Sequence, residues 1–205
     1  MCLHGGGGSA AGFSSSQSMR DLESSLPEYE FVYADAGYSG LWMRDPPGGK
    51  GEATTDPHWA DASLDALDSI VSSQGPFYGI LGYSQGSAYV PVYLAHAPVD
   101  TFQVAMMFCG YLPTTHQGIL ASLNAGSPFG DIPALVWMGA NDGIITNGMT
   151  QEQATKFTNP TIVVDSQADH HVPYASSETY NQVLQFVADN PASTDSNSGS
   201  SNFSQ

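Results

Sequence analysis

The sequence predicts a single α/β domain, a mainly parallel six-stranded sheet with helices on both faces. Three observations point there. Six short apolar stretches alternate with helix-forming segments, the order that builds parallel sheets through crossover connections. The stretches are near-continuously apolar rather than apolar at every second residue, as strands buried on both faces are. At Gly82–Gly86 an apolar run breaks into Gly-Tyr-Ser-Gln-Gly and passes into small residues, which reads as strand, sharp turn and helix start. With 205 residues, 41% of them hydrophobic, the chain suits one domain with its own core, taken here as residues 1–189.

Met1-Cys2-Leu3-His4-Gly5-Gly6-Gly7-Gly8-Ser9 reads as the end of a strand entering a glycine loop, with a helix around Ser15 to Ser25. Glu30 to Asp35 is the second strand. Ala36 to His58 is rich in Gly and Pro, and so long a connection in a compact domain is generally functional or mobile. Asp61 to Ser73 places Leu64, Leu67, Ile70 and Val71 on one face of a helix. Phe77 to Leu81 is the strand before the turn, and Gln85 to His96 the helix after it. Pro91 inside that helix removes a backbone bond, so a bend is expected between Ser87 and Pro91. Phe102 to Cys109, Ala134 to Met138 and Thr161 to Asp165 complete the strands, with Met106, Met107, Trp137 and Met138 expected in the core. Helices are expected at Gln117 to Leu123, Thr150 to Phe157 and Ser177 to Ala188. From Asn190 to Gln205 the chain is mostly Ser, Asn, Gly, Asp and Thr, a tail that cannot bury apolar area and is expected to be disordered.

The net charge is −16, yet it arises from 20 acidic residues set against only four cations, Arg20, Arg44, Lys50 and Lys156. Such a field repels phosphate backbones and anionic lipid, so neither nucleic acid nor a membrane surface is an expected partner. Two cysteines, Cys2 and Cys109, cannot build a disulfide framework, and no Cys/His spacing suits a structural zinc site. No apolar leader opens the sequence and no apolar run approaches about 18 residues, so a cytoplasmic location is expected.

Gly82-Tyr83-Ser84-Gln85-Gly86 has the G-x-S-x-G form in the strand-turn-helix setting that projects one serine hydroxyl above a sheet edge. A serine hydroxyl needs a base, and the base an orienting carboxylate. Downstream, Asp142 follows the strand Ala134 to Met138. His170 and His171 follow Thr161 to Asp165, so either imidazole is placed to serve. Asp165 is a rival acid, but it sits at the end of its own strand rather than on the expected loop. An oxyanion needs two N–H donors, one from the residue after the nucleophile, Gln85, and one from an early loop. His4-Gly5-Gly6-Gly7 resembles an H-G-G-G loop, with Gly6 as the donor and His4 as a structural support. No Gly-Lys-Ser/Thr follows the glycines, which excludes a Walker phosphate loop. His58, His96 and His116 are scattered without ligand spacing and read as incidental. Cys109 reads as a packed small hydrophobe. Trp42, Trp59, Tyr111 and Leu112 sit in loops expected at the catalytic edge and are candidate substrate contacts.

Taken together, Cys2-Leu3-His4-Gly5, Gly82 to Ser87, Cys109-Gly110-Tyr111-Leu112-Pro113, Gly139 to Ile144 and His170-His171-Val172-Pro173 resemble the small serine hydrolases of the fungal "family of serine hydrolases" type, a lidless branch of the α/β-hydrolase superfamily. The last stretch is similar to that family's H-x-V-P, which implies His170 as the base; Asp169 stands where the family usually has Gly. The resemblance implies hydrolysis of carboxylic esters with short to medium acyl chains. It also implies a thioesterase alternative in which an acyl carrier protein delivers the substrate. Neither metal nor organic cofactor is expected. The other reading is a catalytically silent relative that binds a small ligand in the same cleft.

Overall fold

A computed structural model describes residues 1–46, 49 and 51–193. Its core is a six-stranded sheet in the order β2-β1-β3-β4-β5-β6, parallel throughout: β1 (Cys2–Leu3), β2 (Tyr33–Ala34), β3 (Gly79–Tyr83), β4 (Val104–Phe108), β5 (Ala134–Gly139) and β6 (Thr161–Asp165). The helices are α1 (Ala10–Ser14), α2 (Gln17–Ser25), α3 (Asp61–Gln74), α4 (Gln85–His96), α5 (Gln117–Gly126), α6 (Asn147–Ala154) and α7 (Tyr180–Asp189), with one 3-10 turn over Pro57–Ala60.

Side chains of a strand alternate between faces, and here both faces are apolar. Ile80, Ala105, Met107, Val136 and Met138 join one core with residues of α3, α4 and α5, including Leu67, Tyr89 and Leu123. Leu81, Met106, Phe108, Leu135 and Trp137 join the other with α1, α2 and α7, including Phe13, Met19, Leu22, Val183 and Phe186. The continuous apolar runs of the sequence are therefore two interleaved period-two patterns, one for each layer of helices.

The expected elements are present with shifted ends. The second strand shrinks from Glu30–Asp35 to Tyr33–Ala34, because its neighbour β1 is itself two residues long and offers no more ladder. The single helix expected around Ser15 to Ser25 is two, since Ser9 caps α1 through Gly12 N–H and the chain turns at Ser15 and Ser16 before α2. Of the expected polar tail, residues 194–205 lie outside the described residues. Its start is held to the body by Tyr78 Oη–H donating to Asn190 O and by Ser193 N–H donating to Gln103 Oε1 at 2.7 Å.

Helix α4 runs unbroken through Pro91. Proline has no N–H, so the Ser87 carbonyl lacks its usual donor four residues on. The buried Gln153 of α6 supplies one instead: its Nε2 donates to Ser87 O at 2.6 Å. The gap left by proline is thus filled from a neighbouring helix. Replacing Gln153 by Leu is expected to cost about 1–3 kcal/mol in urea denaturation, and clearly less in a Pro91→Ala background, where residue 91 regains its own N–H. An equal cost in both backgrounds would contradict this account.

Candidate active site

Ser84 occupies the turn between β3 and α4 at φ 53° and ψ −118°, a conformation that non-glycine residues rarely adopt. The flanking glycines explain how the turn closes. A Cβ on Gly82 would come within 2.5 Å of Gly86 O, and one on Gly86 within 2.4 Å of the carbonyl oxygens of Leu3 and His4. The elbow can therefore form only where two backbones nearly touch, and that contact also brings the end of β1 against the start of α4.

His170 Nε2 lies 2.9 Å from Ser84 Oγ, and His170 Nδ1 lies 2.7 Å from Asp142 Oδ2. The Asp142 side chain is 1% exposed and that of His170 11%. Asp142 Oδ1 accepts from Ile144 N–H at 2.9 Å and Ile145 N–H at 2.8 Å. Burial alone would push the Asp142 carboxyl up, but the hydrogen bond from His170, the two backbone N–H groups and the imidazole charge together hold it below its ordinary value. An ionised Asp142 accepts a hydrogen bond from Nδ1–H, which leaves the Nε2 lone pair facing the serine hydroxyl.

The acid and histidine loops are stitched to each other. Ala140 N–H donates to Asp165 O at 2.8 Å and Asn141 N–H to Ala168 O at 2.9 Å, and a Cβ on Gly139 would strike Asp169 O at 2.3 Å. Asp165 is buried and spent on the turn itself. It accepts from Gln167 and Ala168 N–H and from Thr179 Oγ1–H, which in turn accepts from Trp137 Nε1–H. His171 points elsewhere, its Nδ1 2.9 Å from Val172 O and its ring packed between Trp137 and Tyr174.

On the other side of Ser84, Gly7 N–H is committed to Gly40 O and Gly8 N–H to Gly5 O. Among the described residues, Gly6 N–H and Gln85 N–H have no acceptor in the protein. His4 braces this loop: Ala36 N–H donates to its Nε2, its Nδ1 lies 2.8 Å from Gly5 O, and its carbonyl accepts from Trp42 Nε1–H at 2.7 Å.

The four aromatic and aliphatic candidates separate. Trp42 is fully buried, stacked on Tyr89 and bonded to His4 O, so it supports the glycine loop from inside the core instead of facing a ligand. Its run of apolar neighbours looks the same in sequence whichever way the ring turns. Leu112 is 6% exposed, while Trp59 and Tyr111 are partly exposed. Burial, against a hydrogen bond from Gln85 and aided by the charge of Asp45, pushes the Tyr111 phenol up to about 12. His116, read as incidental, is a buried latch whose Nε2–H donates to Arg44 O at 2.6 Å.

Cys109 lies beneath the triad-like cluster, with φ 51° and no exposed surface. A sulfur, a carboxylate oxygen and an imidazole nitrogen from Cys109, Asp142 and His170 lie within 4.8 Å of one another. The donor chemistry does not suit a cation: burial, then the negative Asp142, pushes the thiol up to about 12, and Asp142 and His170 already engage each other.

Tyr83, the residue before the serine, was not singled out by the sequence because its position in G-x-S-x-G is unspecified. Its Oη–H donates to the His170 carbonyl at 2.9 Å, its ring lies 5.2 Å from the imidazole, and it abuts Gly5. One side chain thus touches the serine turn, the histidine loop and the glycine loop.

Comparison with known proteins gives a consistent pattern. A family model described as "Serine hydrolase (FSH1)" matches residues 1–182. Esterase FPY3 of Fusarium mangiferae is 27% identical over 210 residues, covering 91% of this chain and 94% of that protein. Esterase OVCA2 of Xenopus tropicalis is 32% identical over 143 residues, covering 65% of this chain and 59% of that protein. Among solved structures, Zea mays acyl-protein thioesterase 2 has a TM-score of 0.58 at 19% identity, covering 92% of this chain and 91% of that one. The esterase RhEst1 from Rhodococcus has a TM-score of 0.65 at 14% identity, covering 93% and 90%. These structures share the α/β-hydrolase fold.

Tyr83→Phe removes only the hydroxyl that holds His170 O. In steady-state ester hydrolysis it should lower kcat about three- to tenfold with KM unchanged; unchanged kcat with only a lower Tm would reduce Tyr83 to a packing residue.

Proposed function

The chain belongs to the serine hydrolase (FSH1) family, and from that premise we propose that it hydrolyses carboxylic esters of short to medium acyl chains with Ser84 as nucleophile, His170 as base and Asp142 as its orienting acid. The observation that carries the reading is the continuous hydrogen-bonded line from Asp142 Oδ2 through His170 to Ser84 Oγ at 2.7 and 2.9 Å. The chain is a hydrolase of esterase type, as its family and esterase-named relatives show. The roles of individual residues and the substrate are our proposal.

Ser84 Oγ attacks the ester carbonyl as its proton passes to His170 Nε2. The oxyanion that develops is held by the N–H groups of Gly6 and Gln85, which have no acceptor of their own among the described residues. His170 then returns the proton to the leaving oxygen, giving an acyl-Ser84 that water opens by the same steps in reverse order. Asp142 keeps the imidazole in the Nδ1–H tautomer and balances its positive charge. A thioester would enter the same cycle, with sulfur as the leaving atom and an acyl carrier protein as one donor of such a substrate. No helix of the described residues is long and apolar enough to cross a membrane. The two free, buried cysteines suit a reducing compartment, and we place the chain in the cytoplasm on that ground.

A fluorophosphonate probe should label the wild type and leave Ser84→Ala unlabelled; a folded wild type that resists the probe would favour the silent ligand-binding reading. Asp142→Asn should lower kcat by about 10⁴-fold, because the amide favours the wrong imidazole tautomer. Wild-type kcat/KM should fall on acidification, because a general base works only in its deprotonated form. Asp142, held below the ordinary carboxyl value, stays ionised in that range and does not set the limb; a pH–rate profile flat to about pH 4 would contradict His170 as base. Rates on p-nitrophenyl esters from acetate to decanoate, beside one acyl thioester, would rank acyl length and leaving group.

A further inference from the structure

Arg44 is one of four cations in a chain of net charge −16, and it lies on the long loop that follows β2. The residue is exposed, and its guanidinium carbon lies over two aromatic rings, 4.4 Å from the centre of Trp59 and 5.1 Å from that of Tyr38. Among the described residues, every ion pair is formed by a histidine, so no carboxylate neutralises Arg44. Arg20 and Lys156, by contrast, each donate to oxygens nearby. The ring beneath the guanidinium adds a second unsatisfied donor: Trp59 Nε1–H is buried without a partner.

The backbone here is held in place. Arg44 N–H donates to Trp59 O at 3.2 Å, and Arg44 O accepts from His116. The two preceding residues are tied to the catalytic turn itself, since Gln85 Oε1 accepts from Trp42 N–H at 2.9 Å and Gln85 Nε2 donates to Met43 O at 3.3 Å. A cation stacked on aromatic faces and fixed at its backbone is pre-organised, and a guanidinium offers paired donors matched to a carboxylate.

The strand order says which part of the substrate it meets. Along the catalytic edge, Arg44 follows β2 and His170 follows β6, with Ser84 after β3 between them. The leaving group must lie toward His170, which protonates it, so the acyl chain extends toward the β2 side. We propose that Arg44 forms a carboxylate subsite on the acyl side of Ser84, so that favoured substrates are esters or thioesters whose acyl chain ends in a carboxylate. This rests on the esterase reading and deepens it. In so acidic a protein, a cation without a counter-charge is where an anionic chain end is held rather than repelled.

The test compares monoethyl adipate with ethyl hexanoate, which share a six-carbon acyl chain and differ at its end. With wild type, Arg44→Gln and Arg44→Lys, the ratio of kcat/KM for the charged ester to that for the neutral one should drop about tenfold in Arg44→Gln, mainly through KM. Ethyl hexanoate should be turned over equally by all three, and Arg44→Lys should keep part of the ratio. An unchanged ratio in Arg44→Gln overturns the subsite while leaving the esterase intact. A wild type that a fluorophosphonate labels at Ser84 but that hydrolyses neither ester also overturns it. A wild type that neither labels nor hydrolyses overturns the esterase reading, and the subsite with it.

Discussion

The near-contact of two backbones at the Ser84 turn is the constraint on which the rest depends. Gly86 sits where any side chain would collide with the carbonyls of Leu3 and His4, and Gly82 where it would collide with Gly86. Without those two glycines the Ser84 turn could not reach its positive φ, and β1 could not end beside the first turn of α4. The same contact therefore lifts the hydroxyl above the sheet and sets the glycine loop next to it. A short first strand of two residues suffices because it is clasped on both edges, by β2 and β3.

On the opposite side of the serine a second backbone seam does comparable work. The loops after β5 and β6 are joined by two backbone hydrogen bonds and by the close passage at Gly139, so Asp142 and His170 are held relative to each other before their side chains meet. Asp165 and Thr179 brace that seam from below, ending on the indole of Trp137 in the core. Tyr83 ties the seam back to the serine turn. The cluster is thus positioned from strands β1, β3, β5 and β6 at once, and its burial keeps the Asp142 to His170 contact out of water, where such a contact is strongest.

The long loop after β2 joins the site through side chains rather than through the sheet. Gln85 holds it at Trp42 and Met43, His116 at Arg44, and Trp42 carries the loop into the core by stacking on Tyr89. These latches come from residues that carry no motif. Gln85 serves twice in this reading: its backbone N–H is the proposed oxyanion donor, and its side chain secures the loop.

The order of elements, the parallel six-stranded sheet and the close spacing of glycines about Ser84 were legible in the sequence, because they follow from local rules: apolar runs of strand length, helical periodicity and the sterics of residues without a Cβ. The association of Ser84, Asp142 and His170 could be anticipated from their placement after successive strands, but not measured. The H-x-V-P resemblance points to His170 over His171, and the tertiary structure brings that imidazole to the serine; only the tertiary structure decided that Asp165 is consumed by its own turn, that Trp42 faces inward, and that His116 and Gln153 bridge distant segments. Each of these is a choice between side-chain directions that local sequence leaves equal in energy. The difference comes from contacts with residues tens of positions away, which exist only once the chain has closed on itself.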